Sequence, residues 1–531
     1  MTEFPRDLQW TKPLIRSGRM NRRDFIRISA AAGVTAAGAL HMFSGEARAA
    51  PKKGGTMRAA IGQGGSTDSL DPATWGANFF TTELSGCTGN MLAEVDQSNN
   101  VVPALAESFE SSDGAKTWVF KLRNGVTFHN GKTLTADDVV ATYNYHRGEN
   151  SKSSQKAVLA SIKDMRADGD KVIFTLDAGN ADFPYNTTNY ALAIFPSKDG
   201  AIDWSQGGTG AFITKAFDPG VKYEGTRNPN YWNGNEPNFD EVHLLVINDV
   251  TARTNALMAG EVDYMDRVDL KNVDAMKNNP DIEIDNVTGF SQLLLTLMTN
   301  TPPFDNNNVR LALKYAIDRK ELMEKILFGY GTVGNDNPFA PSLKYATNPE
   351  PQHGYDPDKA REYLKKAGLD SLKIDLRTSE AAFAGANDAA QLIQQQARKA
   401  GIEINLITEP ADTYWDNVWM KQPAMMSYWG GRSTIDGLAT IGYSADAQWN
   451  DTFWKNPRFN ELLVAARSET DGSKRAAMYA EMQQILHDDG GQIVLMFNNY
   501  VTAHSKKVAH GKLNSNLDHD GTFMWRRWWF A

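Results

Sequence analysis

The sequence predicts an α/β protein large enough for more than one lobe, and three observations carry that reading. The chain has 531 residues, enough for two or more sizeable cores. Leu372–Leu376 and Ile402–Ile407 read as strands on either side of a helix over Ala389–Ala400, which implies a parallel βαβ unit. Between Tyr355 and Leu369, Asp356 caps a helix, Pro357 takes its first position and Gly368 ends it. Ala360, Tyr363, Leu364 and Ala367 then share the i, i+3, i+4, i+7 spacing of one buried face.

From the N-terminus, Asn21-Arg22-Arg23-Asp24-Phe25-Ile26-Arg27 precedes an Ala- and Gly-rich run from Ile28 to Phe43. Ala47-Arg48-Ala49 supplies the small residues of a cleavage site. Residues 1–49 therefore read as a signal peptide of the twin-arginine type, with Arg22 and Arg23 as the pair. The run is too short and too weakly apolar for a membrane span; the alternative is an uncleaved amphipathic helix on the inner membrane. The mature chain is expected to begin near Ala50, to cross by the Tat translocase and to work in the periplasm.

Lys52–Ile61 is a Gly-led opening strand. The following Gly62-Gln63-Gly64-Gly65 lacks the remaining residues of a P-loop or a full dinucleotide fingerprint. Trp118, Phe120 and Leu122 alternate with Val119, Lys121 and Arg123 as a half-buried strand. Asn124-Gly125 is a turn and Val126–His129 resume an extended pattern, so the pair reads as a hairpin. Thr135 caps a helix with Asp138 as the acid of a capping box. Leu244–Ile247 is a strand, and Thr251–Met258 a helix closed by Gly260. Residues 282–298 are extended, Asn308 starts a helix, and Asp318 with Glu321 caps the next. Arg458–Arg467 and Ser473–His487 are helices and Ile493–Phe497 a strand.

The formal charge is −9, and the first 49 residues are net basic, so the remainder is more acidic than the total. That argues against nucleic acid and anionic membrane as partners. Cys87 is the only cysteine, which excludes an internal disulfide and a cysteine metal site, and it reads as a buried, inert thiol. GxSxG and HExxH are missing, and the nine histidines show no metal-ligand spacing. No enzyme, cofactor or metal site is expected.

A cleft between lobes is the default binding site for such a body. Ala424–Tyr428 reads as a buried strand that delivers Trp429 and the flexible pair Gly430-Gly431, and Arg432 suits a carboxylate held by two parallel bonds. Trp415 and Tyr414 read as core or rim. The closing Trp525-Arg526-Arg527-Trp528-Trp529-Phe530 is expected to pack its aromatics on the first lobe and leave its arginines wet.

Val101–Thr142, Gly208-Thr209-Gly210-Ala211-Phe212, Arg227-Asn228-Pro229-Asn230-Tyr231-Trp232, Gly260-Glu261-Val262-Asp263 and the stretch from Pro302 to Arg319 follow one another in an order that resembles family 5 of the extracytoplasmic solute-binding proteins. These are receptors of oligopeptide, dipeptide, nickel and opine ABC importers. The resemblance implies a periplasmic-binding-protein-like type II fold: two lobes around a hinge, with an extra subdomain inserted in the first. Lobe 1 would span 50–290 plus 500–531, with the insertion at about 95–200, and lobe 2 would span 291–499. Hinge crossings are expected near 285–298 and 492–502. It implies a monomeric receptor that binds a peptide-like or other small polar solute and docks on an ABC permease complex in the inner membrane. A metal complex, an opine or a sugar conjugate stays open as cargo. The loop holding Asn78 and Phe79 borders the cleft in relatives. Dipeptide receptors carry an acid after the Trp for the peptide amine; here Gly431 and Arg432 occupy that region and Asp436 is the nearest acid. Where those receptors place an arginine for the carboxylate, this chain has Glu380, with Phe383 beside it, so the resemblance implies that the two charges are swapped.

Overall fold

In the computed structural model, residues 8, 11, 22–32, 34, 51–75, 79–411 and 413–531 are described. Two strands organise the molecule. Ile282–Leu297 and Gln492–Ser505 lie antiparallel in the middle of one large mixed sheet and join its two halves. Their lower ends, from Ile282↔Ser505 to Thr288↔Asn499, belong to its first half. There the order continues through Tyr264–Met265, Thr56–Ile61, Glu241–Val246, Lys222–Arg227 and Phe212–Asp218. Their upper ends, from Gln292↔Phe497 to Thr296↔Gln492, carry Ala424–Trp429, Leu372–Thr378 and Ile402–Thr408.

The register breaks between Thr288 and Gln292, at the crossing. Gly289 sits in that break: a Cβ there would lie 2.5 Å from the Asn498 carbonyl oxygen, so the two chains approach as only glycine allows. Separate apolar cores flank the crossing. One is built on Met57, Ala59, Phe80, Val242 and Trp525, and the other on Leu295, Val309, Leu376, Ile393 and Ile404. The expected βαβ unit is present, with Leu372–Thr378 parallel to Ile402–Thr408 and the helix Ala386–Arg398 between them. Its strands alternate because one face meets that helix and the other meets water.

A third core belongs to a four-stranded antiparallel sheet, in the order Ala106–Ser112, Thr117–Leu122, Lys171–Leu176, Ile162–Asp168. This corrects the expected hairpin. Thr117–Leu122 takes its partners on both sides from these strands, whereas Val126–His129 contributes only the bridge Thr127↔Thr133. Phe120 is fully buried among Phe109, Phe174 and Phe183, and burying it from both edges needs strands longer than four residues. The Thr135–Asp138 capping box forms as read, and Asp138 also accepts from the Ser197 backbone N–H at 2.7 Å.

The C-terminal segment returns to the first core. Trp525 and Trp528 are buried there, and Trp525 Nε1 donates to Glu83 at 2.9 Å. The expectation of wet arginines fails at Arg526, which is 2% exposed and paired with Glu94 at 2.5 Å and Glu236 at 2.7 Å. Two carboxylates at the edge of an apolar core need a cation, and the tail brings it.

Candidate ligand site

The strand Ala424–Trp429 is the key positioning element. It lies beside the upper half of Ile282–Leu297, and its side chains alternate across the sheet, so Tyr428 and Trp429 leave its end on different sides. Trp429 is buried, whereas Tyr428 is 45% exposed. Trp415, from the short helix Tyr414–Asn417, meets Tyr428 edge-on at 5.6 Å between ring centroids. Trp449 stands 6.1 Å from Trp429 and 6.5 Å from Trp419, and is itself 43% exposed. These five rings with Gly430 and Arg432 line a cavity of about 400 Å³, a volume suited to a small-molecule ligand.

Behind the rings lies Asp451, fully buried. Its Oδ2 accepts from Trp429 Nε1 at 3.0 Å and from Trp419 Nε1 at 3.3 Å, and its Oδ1 accepts from Gln492 Nε2 at 2.9 Å. Burial pushes its carboxyl above the ordinary value, against the pull of those donors. One carboxylate thus fixes the orientation of two indoles in the wall.

Gly431 has a steric reason. A Cβ at that position would fall 2.0 Å from Phe290 Cβ, on the hinge-crossing strand. The loop is therefore pressed against the hinge, which aims Arg432 outward. Arg432 Nη1 donates to the Gly430 and Gly431 carbonyls at 3.1 and 3.0 Å and has no carboxylate partner among the described residues. It is open to solvent, but surrounding protein thins the water around it and presses its guanidinium below the ordinary value, while Tyr190 of the first lobe pulls the other way. Asp436 is already engaged by Arg467 at 3.0 Å.

Of the residues expected to bind, Trp429, Gly430 and Arg432 come together here. Glu380 does not join them. It is exposed, and its carboxylate accepts from the backbone N–H of Gly385 at 2.7 Å and of Asn387 at 3.2 Å. The reason is local: Gly385 is the N-cap of Ala386–Arg398, and a glycine has no side chain to satisfy the first amides. Phe383 packs on the core of the second lobe. Asn78 and the side chain of Phe79 lie outside the described residues, as do the side chains of Arg22 and Arg23. Sequence reasoning missed Trp419, Tyr428, Trp449 and Asp451 and placed Trp415 in the core or rim. The i, i+4 spacing of Trp415 and Trp419 was the available signal.

Several contacts join the segments expected to form the two lobes. Arg475 of the second lobe bonds both oxygens of Asp182 at 2.8 and 2.7 Å. Ala181 N donates to the Arg467 carbonyl at 2.7 Å, and Ser433 Oγ donates to Asn516 at 2.7 Å. No helix among the described residues is long and apolar enough to cross a membrane.

Comparison with known proteins agrees with this architecture. Residues 100–451 match the family described as bacterial extracellular solute-binding proteins, family 5. The chain is 28% identical to heme-binding protein A of Haemophilus influenzae over 75% of its own length and 79% of the relative's. It is 26% identical to di/tripeptide-binding protein 1 of Pseudomonas aeruginosa over 80% and 86% of the two chains. Among solved structures, HbpA2 of Haemophilus parasuis superposes with a TM-score of 0.78 at 23% identity, covering 87% of this chain and 97% of that one. The periplasmic binding protein DppA of Helicobacter pylori, in complex with the peptide STSA, gives a TM-score of 0.71 at 25% identity, with 90% and 98% covered. With a match over more than half its length and the same two-lobed fold, the chain belongs to the bacterial extracellular solute-binding proteins of family 5, which are binding receptors of ABC transporters and not enzymes.

Proposed function

We propose that this receptor carries a small solute with an anionic group, which Arg432 holds while the Trp415, Trp419, Trp429 and Trp449 rings enclose its body. The observation that carries the reading is Arg432 itself: a guanidinium in the wall of a cavity of about 400 Å³, with no carboxylate partner among the described residues. A guanidinium so placed suits the planar, bidentate geometry of a carboxylate. Two exposed aromatic faces, Tyr428 and Trp449, beside it favour a ligand with an apolar or ring-shaped part.

The charge pattern narrows the class. Asp436 is paired with Arg467 and Asp451 is spent on the indoles, so no lining residue offers a free acid to a ligand amine. Small acidic solutes, opine-like conjugates and sugar-acid conjugates fit better than a peptide recognised by its free N-terminus. The lining also has no imidazole or thiol, so a metal cargo would have to arrive inside its own chelator. In this reading the solute bridges the lobes and stabilises the closed form. The monomeric receptor then docks on a membrane permease complex, in the periplasm, after export directed by Arg22 and Arg23.

Mass spectrometry of the small molecules that copurify with the protein, followed by calorimetry on the solute found, tests this. An anionic solute whose affinity falls about 10–100-fold in Arg432→Ala supports the reading, the range for losing a hydrogen bond to a charged group. A solute without an anionic group, or an Arg432→Ala variant with unchanged affinity, overturns it. Retention of the precursor in cells lacking the Tat translocase tests the export route.

A further inference from the structure

Away from the tryptophan cavity, three side chains converge at the foot of the hinge. Asp285 stands on Ile282–Leu297, and His504 on Gln492–Ser505. Asp285 pairs in register with Thr502, so His504, two residues further along, shares its face of the ladder. His510 follows the short strand Val508–Ala509, on the way to the C-terminal segment. Their ligand-capable atoms all lie within 4.8 Å of one another; Asp285 Oδ1 is 3.1 Å from His510 Nε2, and Asp285 Oδ2 is 3.4 Å from His504 Nε2.

The outer bonds settle which nitrogens face inward. His504 Nδ1 contacts the Ser505 carbonyl at 2.9 Å, and His510 Nδ1 contacts the Gly511 carbonyl at 2.8 Å. A carbonyl oxygen only accepts, so both Nδ1 atoms carry hydrogen. In the neutral rings both Nε2 atoms then present lone pairs toward the Asp285 carboxylate. Lone pairs aimed at an anion need a positive charge between them. His504 is 1% exposed, and its Nε2 and Asp285 Oδ2 face each other at 3.4 Å with no other hydrogen-bond partner. Imidazoles oriented through Nδ1–H to a carbonyl, with Nε2 free, are the arrangement that metal-binding histidines adopt.

We propose that Asp285, His504 and His510 form a site for one divalent transition-metal ion of the zinc class. Two nitrogens and one carboxylate oxygen suit that class. With bonds of ~2.0–2.1 Å, neighbouring ligands of a tetrahedral ion stand ~3.3–3.4 Å apart, close to the separation of each imidazole nitrogen from its nearer carboxylate oxygen. The Trp528 ring, 4.5 Å from His510 and 5.4 Å from His504, walls one side. His510 keeps 17% of its side chain exposed and leaves a way in. The ion would tie both hinge-crossing strands to the segment leading into the C-terminal tail. It is built on other residues than the solute cavity, so it does not depend on what the receptor carries.

The test strips the purified protein with a chelator, then titrates Zn²⁺ by calorimetry and Co²⁺ by visible absorption. One equivalent should bind, with the intense visible bands of nitrogen-ligated tetrahedral Co²⁺, and melting should shift upward with Zn²⁺. His510→Gln and Asp285→Asn should each weaken binding by at least the ~10–100-fold that loss of an outer partner costs, whereas Arg432→Ala should leave it unchanged. His510 is the most exposed of the three, so its variant is the one to retain the fold, checked by circular dichroism. Absence of stoichiometric binding to the wild-type protein overturns the site, because the cluster would then hold protons alone. So does an unchanged affinity in both His510→Gln and Asp285→Asn.

Discussion

Replacing Asp182 by Asn should open the receptor. Asp182 sits beside the inserted sheet and Arg475 on the helix Gly472–Asp489 of the second lobe, with side chains 10% and 7% exposed. Both Asp182 oxygens go to Arg475, whose remaining donors are spent inside its own lobe on the Ala466 carbonyl and the Tyr479 hydroxyl. Burial alone would lower the Arg475 pKa, but Asp182 carries it well above the ordinary value. Two unit charges ~4 Å apart at an effective dielectric of ~20 attract by ~4 kcal/mol, in line with the ~3–5 kcal/mol lost when one partner of a buried pair is removed. Opening the lobes rehydrates Arg475 and caps the loss, so ~2–4 kcal/mol should pass into the open–closed equilibrium. That corresponds to a ~30–1000-fold shift toward the open form. Where solute binding drives closure, affinity falls by the same factor. Small-angle scattering should report a larger radius of gyration for the solute-free variant, and calorimetry a weaker Kd. Asp182→Asn and Arg475→Met should not add in a double-mutant cycle. Unchanged scattering and unchanged affinity in Asp182→Asn would refute the reasoning.

Three further outcomes follow from the same geometry. Asp451→Asn keeps the volume but turns a donor toward the indoles or toward Gln492, which should weaken solute binding by ~1–3 kcal/mol and shift tryptophan emission; unchanged emission and affinity would remove Asp451 from its positioning role. Gly431→Ala should lower stability by ~1–3 kcal/mol through the clash with Phe290, whereas Gly430→Ala, whose Cβ would meet nothing nearer than Arg432 Nη1 at 3.9 Å, should be tolerated; equal urea midpoints would contradict this. Burial alone would lower the His519 pKa, but Glu83, Asp518 and Asp266 raise it to about 9. Its contribution is complete below pH ~6.5 and is lost as pH rises through about 9, on the order of 3 kcal/mol; the decline in urea midpoint over that window should vanish in His519→Gln.

What the sequence made legible was local. The βαβ unit shows in the alternation of Leu372, Ile374 and Leu376 and in one helical face, and the capping box of Thr135 and Asp138 closes within four residues. The partner of Thr117–Leu122 could not be read in the same way. On one side it is Ala106–Ser112 and on the other Lys171–Leu176, some fifty residues on, while the nearer Val126–His129 has the same extended pattern without the length to cover Phe120. The site divides along the same line. Trp429, Gly430 and Arg432 end a single strand and were found together, whereas Trp415 and Trp419, at the helix Tyr414–Asn417, and Trp449 and Asp451, some thirty residues on, converge from two segments on either side of the strand Ala424–Trp429 in sequence.

Glu380 shows why residue type and position alone mislead. An acid at the mouth of a cleft suits a ligand amine, but Gly385, with φ +82°, starts a helix it cannot cap, and the nearest carboxylate is taken for that purpose. Arg432 is the converse: a cation whose hydrogen bonds, among the described residues, go to two carbonyls of its own loop. The proposed substrate charge therefore rests on which ionic groups are left over once caps, core pairs and lobe contacts are satisfied. By that accounting Glu380, Asp436, Asp451 and Asp182 are all engaged within the protein, and the proposal that Arg432 takes the solute rests on its being without a carboxylate partner among the described residues.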